Sequence, residues 1–219
     1  MAPTIFIVPR FYEGPTVFKP LADSLNEQGF KTVITTISST GKTPPDSPNM
    51  DDDIANIAKD LAPVVEEAGE EGIVAVLHSA GGFIGSGALK DRIWKTRQDA
   101  GKTGGVKKII IAAGSNGTQS CKDPRTLLYS DFSDEEANKC LPGLEHQVDR
   151  GWAIKLQYCG WREVPSVYAI CEGDRMLPVA IQEQFAGLAR SEIVRIGAGH
   201  MAQLSQTEKV AETIALNVS

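Results

Sequence analysis

Ser79, Asp174 and His200 are the residues whose types and order are best suited to chemistry. Each lies within a few residues of the end of a short apolar segment. A serine hydroxyl becomes a good nucleophile when a base takes its proton, and histidine is the commonest base. A carboxylate then holds the imidazole in the required tautomer and stabilises the imidazolium. The order serine, aspartate, histidine therefore predicts acyl transfer, with Ser79 as nucleophile, His200 as base and Asp174 as its partner.

The segment around Ser79 is typical of a sharp turn between a strand and a helix. An apolar run, 73–77, is followed by His78, Ser79 and a series of small residues. Such a turn presents the serine hydroxyl above the sheet, and small neighbours let the strand and the helix come close. The usual pattern is Gly-x-Ser-x-Gly, and here Leu77 replaces the first glycine. The segment is thus also compatible with an ordinary turn in which Ser79 caps a helix.

Three other titratable residues are weaker candidates. His78 precedes the serine on the same strand, and the alternation of side chains along a strand points it to the opposite face. His146 lies in a region of irregular composition. Glu172 competes with Asp174 as the acid, but it lies closer to the end of its strand, and Asp174 lies further into the turn. We therefore expect Asp174 and His200 to serve the serine.

Acyl transfer also needs two N–H donors for the developing oxyanion. The backbone of Ala80, at the start of the helix after the serine, is expected to supply one donor. The loop after the first strand, residues 9–12, is expected to supply the other.

The elements that position these residues follow from apolar periodicity. Strands are predicted at 4–8, 32–37, 73–77, 108–113, 165–171 and 193–196. Helices are predicted at 17–28, 51–68, 80–95 and 178–189, and a last one is expected from Ser205 with a capping box that uses Glu208. This alternation predicts an α/β fold, with a mostly parallel six-stranded sheet and helices on both faces. Sites in such sheets lie at the carboxyl ends of the strands, where the three reactive residues fall.

Residues 114–162 interrupt this alternation. The segment has Gly114 and Gly117 near its start and only short helical stretches. Because nearly 50 residues are too long for a simple connection between strands, we expect a small inserted cap at 114–162 over a core of residues 1–113 and 163–219. Aromatic residues of this cap either line a pocket or form its own small core. They are Trp152, Tyr158 and Trp161.

Length and charge exclude several classes of protein. The 219 residues suffice for one domain with a sizeable core, and the net charge is −6. A chain this acidic has no electrostatic footprint for nucleic acid and binds anionic membranes poorly. No apolar run approaches the ~18–20 residues of a membrane span, and the N-terminus lacks the basic start of a signal peptide. We therefore expect a cytoplasmic protein that binds neither nucleic acid nor membrane.

Signals for metals and cofactors are weak. The four cysteines show no Cys-x-x-Cys spacing, so we expect no metal site. Cys121 and Cys140 are expected to be free thiols, although a disulfide between them stays open. The glycine-rich segment 81–87 follows a strand, as in dinucleotide sites, but it lacks the Gly-x-Gly-x-x-Gly spacing. Close packing of a helix on the sheet explains these glycines better, and we expect no organic cofactor.

Short segments along the whole chain carry a family resemblance. They are Phe6-Ile7-Val8-Pro9, Gly14-Pro15, Phe18-Lys19-Pro20-Leu21, Asp51-Asp52-Asp53, His78-Ser79-Ala80-Gly81-Gly82, Tyr129-Ser130-Asp131, Glu135-Glu136-Ala137, Trp161, Val164-Pro165-Ser166, Glu172-Gly173-Asp174 and Gly199-His200-Met201. With these the chain resembles the compact α/β-hydrolases that include plant methyl esterases and hydroxynitrile lyases, and more closely their short fungal and bacterial relatives. The resemblance implies the α/β-hydrolase fold, the same triad, and oxyanion donors from Phe11 and Ala80.

Two positions depart from this family, and one separates its activities. The family usually has glycine at the position of Arg10 and often at that of Leu77. Arg10 is expected to narrow the oxyanion loop, to reach an acidic group of the substrate, or to point into solvent. The lyases carry a lysine directly after the histidine, where this chain has Met201, as the esterases do. The resemblance thus favours an esterase over a lyase.

These observations together predict a serine esterase or lactonase that cleaves a small apolar ester through an acyl-enzyme. Two alternatives stay open: lyase, cyclase or isomerase chemistry on the same triad, and a receptor-like protein that binds a ligand. We expect the substrate to be a small ester or lactone and the protein to be a monomer or a homodimer. The expected substrate contacts are Arg10, Tyr12, Phe83, Trp152, Met176 and Met201.

Overall fold

The computed structural model describes residues 2–43, 45, 47–112, 121–147, 150–152 and 155–218. The predicted loop with Gly114 and Gly117 lies outside these residues. The described strands are β1 (Thr4–Val8), β2 (Lys31–Ile34), β3 (Ile73–His78), β4 (Val106–Ala112), β5 (Ser166–Cys171) and β6 (Glu192–Ile196). They form one six-stranded sheet in the order β2-β1-β3-β4-β5-β6, and every pair is parallel. The predicted α/β fold is confirmed.

Helices cover both faces of this sheet. They are α1 (Lys19–Glu27), α2 (Met50–Ala68), α3 (Gly81–Ala88), α4 (Trp94–Asp99), α5 (Pro124–Leu127), α6 (Asp134–Cys140), α7 (Val179–Ala189), α8 (Ala202–Ser205) and α9 (Thr207–Leu216). One apolar core packs α2, α3 and α7 on the sheet, and a second packs α1 and α9 on the opposite face. Because β1, β3 and β5 are buried along their whole length, their sequences are almost continuously apolar. No helix in the described part of the chain is long and apolar enough to cross a membrane.

Strand β2 is shorter than the sequence predicts, since it ends at Ile34 rather than at residue 37. The chain leaves the sheet because its next polar groups bond to α2. Asp53, which is buried on α2, accepts hydrogen bonds from the Ser38 hydroxyl at 2.7 Å and from the Ser39 N–H at 2.8 Å and hydroxyl at 2.6 Å. The first turn of α2 thus anchors the loop that leads into it.

The helix predicted over 80–95 is two helices, α3 and α4. The chain turns between them, with Asp91 in the left-handed region at φ +63°. Leu89 and Ile93 are both buried in the core beside α3. Four residues apart, these two positions would share one face of a continuous helix. The apolar spacing therefore predicted a single helix, although the chain turns at Asp91.

The predicted capping box at the start of the last helix is wrong. Helix α9 begins at Thr207, and its N-cap residue Gln206 makes no side-chain capping bond. Glu208 instead accepts a hydrogen bond from the Ser24 hydroxyl of α1 at 3.0 Å, and the Ser205 hydroxyl donates to Asp131 at 2.6 Å. Tertiary partners therefore replace the local capping interaction that the sequence pattern suggested.

The region between β4 and β5 contributes a third apolar cluster. Leu128, Tyr129 and Ala137 are buried around Met201, the residue after His200. Trp152 and Trp161 are partly buried against the core that also contains α2 and α3. The division into a core and a cap at 114–162 stays a prediction.

The first turn of α3 packs unusually close to the end of β1. A Cβ atom on Gly81 would lie 2.5 Å from the Pro9 carbonyl oxygen and 2.7 Å from that of Val8, and one on Gly85 would lie 2.7 Å from Leu77 Cδ2. Real Cβ atoms essentially never come this close to such atoms. These glycines are therefore needed for the approach of helix to sheet.

We expect Gly81→Ala to lower the free energy of unfolding by about 1–3 kcal/mol, because the backbone after β1 has to move. Gly187→Ala is the matched control, since Gly187 lies on α7 with nothing within 4 Å of an added Cβ. This control should stabilise the protein by about 0.5–1 kcal/mol, the usual advantage of alanine inside a helix. Unfolding in urea measures the free energy of unfolding of both variants. Equal changes in the two variants would contradict the packing argument.

Burial raises the pKa of Asp53 above its ordinary value of 3.8, against the opposing effect of the Ser39 and Ser38 hydrogen bonds. The folded protein thus binds this proton more tightly than the unfolded chain does. The stability contributed by Asp53 is full below about pH 3.8 and is lost as pH rises through the folded-state pKa. Asp53→Asn does not titrate. The unfolding free energy of the variant, measured relative to wild type in urea, should therefore improve as pH rises from about 4 to 7, and a difference independent of pH would contradict this.

Candidate active site

Ser79 lies on a strained turn between β3 and α3. Its φ is +52°, in the left-handed region that residues other than glycine rarely adopt. The turn is closed by hydrogen bonds from the Ser79 N–H to the Ala112 carbonyl and from the Gly82 N–H to the Ser79 carbonyl, both 2.9 Å long. Strain of this kind persists only where the surroundings enforce it, and it is concentrated at functional sites.

The structure brings Ser79, His200 and Asp174 into one hydrogen-bonded chain. His200 Nε2 lies 3.1 Å from Ser79 Oγ, and His200 Nδ1 lies 2.8 Å from Asp174 Oδ2. All three side chains are buried. Because a carboxylate only accepts, Nδ1 carries the hydrogen and Nε2 is left as the base that faces the hydroxyl. The arrangement is able to remove a proton from the serine.

The loop that carries Asp174 is held from two sides. Asp174 Oδ1 accepts the N–H groups of Met176 at 2.8 Å and Leu177 at 2.9 Å. The fully buried Gln182 of α7 donates to the carbonyls of Cys171 at 2.9 Å and Leu177 at 2.8 Å, and it accepts the Cys171 N–H at 2.9 Å. Sequence reasoning missed Gln182. The available signal was a polar residue four positions before the buried Ala186, on the apolar face of the helix.

The loop that carries His200 is held by His78. The His78 Nε2 atom lies 2.9 Å from the His200 carbonyl oxygen, so Nε2 carries the hydrogen. Burial, with smaller effects of His200 and Arg10, holds the pKa of His78 well below its usual range. Its ring packs edge-on against Phe18, with 5.6 Å between centroids, and lies 5.4 Å from the ring of His200. His78 is a neutral structural group here.

A second support of the His200 loop comes from Asp131. Its carboxylate accepts the Gly199 N–H at 2.6 Å and the Ser205 hydroxyl at 2.6 Å. The neighbouring Ser130 hydroxyl donates to the Gly173 carbonyl at 3.2 Å, beside Asp174. Sequence reasoning assigned no role to Asp131, because it lies in the segment without regular periodicity. The region between β4 and β5 thus touches both loops that carry the triad.

The two expected oxyanion donors lie on either side of the serine. Ala80 precedes α3, and Phe11 lies in the loop after β1, next to Tyr12 at φ +71°. Within the described part of the chain, neither the Phe11 nor the Ala80 N–H donates to an acceptor. Oxyanion stabilisation requires N–H groups that are free to donate to the substrate, and the role of Phe11 and Ala80 stays a prediction.

Of the expected substrate contacts, Phe83 and Trp152 share a cavity of about 520 Å³. Its other lining residues are Met50, Lys155, Leu156, Gln157, Cys159, Trp161 and Arg162. The ring of Trp152 packs edge-on against that of Phe11, with 4.5 Å between centroids. The cavity therefore adjoins the loop after β1. Phe83 and Trp161 also line a neighbouring apolar cavity of about 150 Å³.

The other expected contacts lie elsewhere. Tyr12 lines a separate cavity together with His146, and Met176 packs on the apolar cluster around Met201. Met201 is fully buried, and Arg10, only 1% exposed, donates from Nη1 to the Met201 sulfur at 2.7 Å. The expectation that Arg10 points into solvent is thus wrong, because protein groups hold its guanidinium inside.

The described residues contain no cluster of three or more histidine, cysteine, aspartate or glutamate side chains able to hold a metal ion. Cys121 and Cys140 are both free thiols in the structure, so the alternative of a disulfide between them is not realised.

We expect Asp131→Ala to slow the labelling of Ser79 by a fluorophosphonate probe about fivefold. Of the two hydrogen bonds that this variant loses, the one from the Gly199 N–H holds the loop of His200, and the loss of one such bond costs about 1 kcal/mol. The Gly199 N–H would lose its acceptor, and the loop that carries His200 would loosen. Asp131→Asn is the matched control, because its amide oxygen still accepts, and it should label at nearly the wild-type rate. The labelling rate of both variants is measured by mass spectrometry of the intact protein. Wild-type labelling by Asp131→Ala would show that this contact does not position His200.

Comparisons with known proteins identify the family of this chain. Residues 8–213 match the model of a family described as the alpha/beta hydrolase family. A curated relative, the alpha/beta hydrolase nvfD of Aspergillus novofumigatus (strain IBT 16806), is 28% identical, with 98% of this chain and 96% of the relative covered.

Solved structures share the fold at low sequence identity. Polyneuridine aldehyde esterase is 14% identical with a TM-score of 0.76, over 99% of this chain and 100% of the other. The methylesterase MES16 from Arabidopsis is 17% identical with a TM-score of 0.75, over 98% of each chain. A pyrethroid hydrolase from Sphingobium faniae JZ-2 is 16% identical with a TM-score of 0.64, over 100% of this chain and 98% of the other. The family match covers nearly the whole chain, and the protein belongs to the alpha/beta hydrolase family.

Proposed function

We propose that the protein is a serine hydrolase that cleaves a small, apolar carboxylic ester or lactone through an acyl-enzyme on Ser79. The observation that carries this proposal is the hydrogen-bonded chain from Ser79 through His200 to Asp174, with separations of 3.1 and 2.8 Å. Ser79 lies on a turn, and its strained φ is typical of an activated serine.

The reaction follows from the positions of these atoms. His200 Nε2 takes the proton of Ser79 Oγ while the oxygen attacks the carbonyl carbon of the ester. The N–H groups of Phe11 and Ala80 donate to the oxyanion that develops, and each such donor typically contributes about 2.7–4 kcal/mol. The imidazolium of His200 then protonates the leaving alkoxide, and the acyl group stays on the serine.

Deacylation repeats the same proton transfers with water. His200 Nε2 takes a proton from the water that attacks the acyl carbon, and it returns this proton to Ser79 Oγ as the carboxylic acid departs. Asp174 keeps the imidazole in one orientation throughout. Its other oxygen is bound by the N–H groups of Met176 and Leu177, which prevents the carboxylate from rotating.

The lining of the 520 Å³ cavity supports the substrate class. Its volume suits a small acyl or alcohol group. The apolar and aromatic part of its walls comes from Met50, Phe83, Trp152, Leu156 and Trp161, and the polar part from Lys155, Gln157 and Arg162. The neighbouring cavity of about 150 Å³, which shares Phe83 and Trp161, is the apolar one. Three of the structural relatives are named as an esterase, a methylesterase and a pyrethroid hydrolase. Most of the lining residues belong to the proposed cap: Trp152, Lys155, Leu156, Gln157, Cys159, Trp161 and Arg162.

The structure weakens the motive for a non-hydrolytic alternative. The motive is Arg10, which stands where the family resemblance leads us to expect glycine. Arg10 is turned inward to Met201 and lies 3.9 Å from Glu13, so the unusual residue is explained without different chemistry.

The test is a panel of p-nitrophenyl esters and lactones of graded chain length, assayed with wild type and Ser79→Ala. We expect short and medium chains to be turned over, and we expect Ser79→Ala to lose at least about 1,000-fold in kcat at unchanged thermal stability. Full turnover by Ser79→Ala would refute the proposal. Labelling of Ser79 by a fluorophosphonate without hydrolysis of any panel member would favour the non-hydrolytic alternative.

A further inference from the structure

Arg10 and Glu13 form a buried charged pair within the loop after β1. Their side chains are each 1% exposed, and Arg10 Nη1 lies 3.9 Å from Glu13 Oε2. Removing two charges from water is costly, and it is tolerated where each charge finds partners. A buried arginine therefore needs a specific reason.

The partners of the pair belong to two other segments of the chain. Arg10 Nη1 donates to the sulfur of Met201 at 2.7 Å, directly after His200. Glu13 Oε1 accepts the hydroxyl of Tyr129 at 2.6 Å. Burial and the neighbouring Glu13 raise the pKa of Tyr129, so its hydroxyl keeps the proton that it donates. The pair thus joins the loop after β1 to the loop of His200 and to the segment after α5.

In the sequence, Phe11, whose N–H is an expected oxyanion donor, lies between the two members of the pair. Phe11 and Tyr12 lie between the two charges, and Tyr12 adopts a φ of +71°. The Tyr12 carbonyl accepts the Glu145 N–H at 2.7 Å, and the Tyr12 N–H donates to Gln147 at 3.4 Å. The loop is therefore fastened on both sides of the Phe11 N–H.

We propose that Arg10 is a positioning residue: through Met201 and Glu13 it sets the position of the Phe11 N–H relative to His200. This inference rests on the proposed function, in which Phe11 donates to the oxyanion while His200 transfers the proton. An oxyanion donor acts at 2.7–3.1 Å, and a misplacement of about 1 Å lowers the rate about 100-fold. Arg10 does not itself touch the substrate, because its guanidinium is buried among protein groups.

The first variant is Arg10→Met, which keeps the length of the side chain and removes its charge and donors. We expect kcat on the best panel ester to fall about 10- to 100-fold, while KM changes less than about threefold, since the cavity walls are untouched. Affinity for an alkyl boronic acid, which mimics the tetrahedral intermediate, should fall in the same proportion as kcat. Active sites are counted by fluorophosphonate labelling, so that kcat refers to folded protein.

Two further variants separate positioning from stability. Arg10→Met leaves Glu13 as an unpaired buried charge, which should lower the Tm. Arg10→Met combined with Glu13→Gln removes that charge, so the Tm should recover while kcat and boronate affinity stay low. Arg10→Lys keeps the charge opposite Glu13 and should retain a kcat between those of wild type and Arg10→Met.

The outcomes distinguish this inference from the proposed function. Wild-type kcat and boronate affinity in the double variant would overturn the role of Arg10 and leave the hydrolase intact. If kcat and Tm both returned to wild-type values in the double variant, Arg10 would have a structural role only. A wild-type protein that neither hydrolyses the panel nor is labelled at Ser79 would overturn both proposals.

Discussion

The contact on which the site depends is the close approach of α3 to the end of β1. Gly81 brings the first turn of α3 against the carbonyls of Val8 and Pro9, at distances that exclude a side chain. This one approach places Ser79 at the top of β3 and sets its distance from the loop that carries Phe11. Ser79, the proposed nucleophile, and Phe11, a proposed oxyanion donor, are therefore positioned by contacts that involve the backbone.

The remaining parts of the site are loops, and buried polar groups make them rigid. Gln182 closes the loop of Asp174, while His78 and Asp131 hold the loop of His200. Each of these bonds connects a loop to a helix, a strand or the region between β4 and β5. Loops have many accessible conformations. These hydrogen bonds restrict the loops before substrate binds, so less conformational entropy is lost when the active geometry forms. Arg10 likewise holds the loop after β1 against the loop of His200, through its bond to Met201.

The predicted order of strands, helices and reactive residues agrees with the structure wherever the burial of apolar side chains determines the sequence pattern. The strands β1, β3 and β5 are apolar throughout and were located to within one residue. Errors arose where a tertiary contact displaced a local preference. Glu208 bonds to Ser24 rather than capping α9. The chain turns at Asp91, although Leu89 and Ile93 keep the spacing of one helix face. A local pattern contains no information on partners that are distant in sequence.

The sequence by itself determined which residues to consider at the site. Ser79, Asp174 and His200 each follow a strand, and the carboxyl ends of parallel strands meet at one edge whatever the length of chain between them. The tertiary structure alone decided the place of Arg10, for which the sequence left three interpretations open. Its partner Met201 is separated from it by 191 positions. Whether a charged side chain is exposed or buried depends on such distant groups, since only they can supply the hydrogen bonds that replace water.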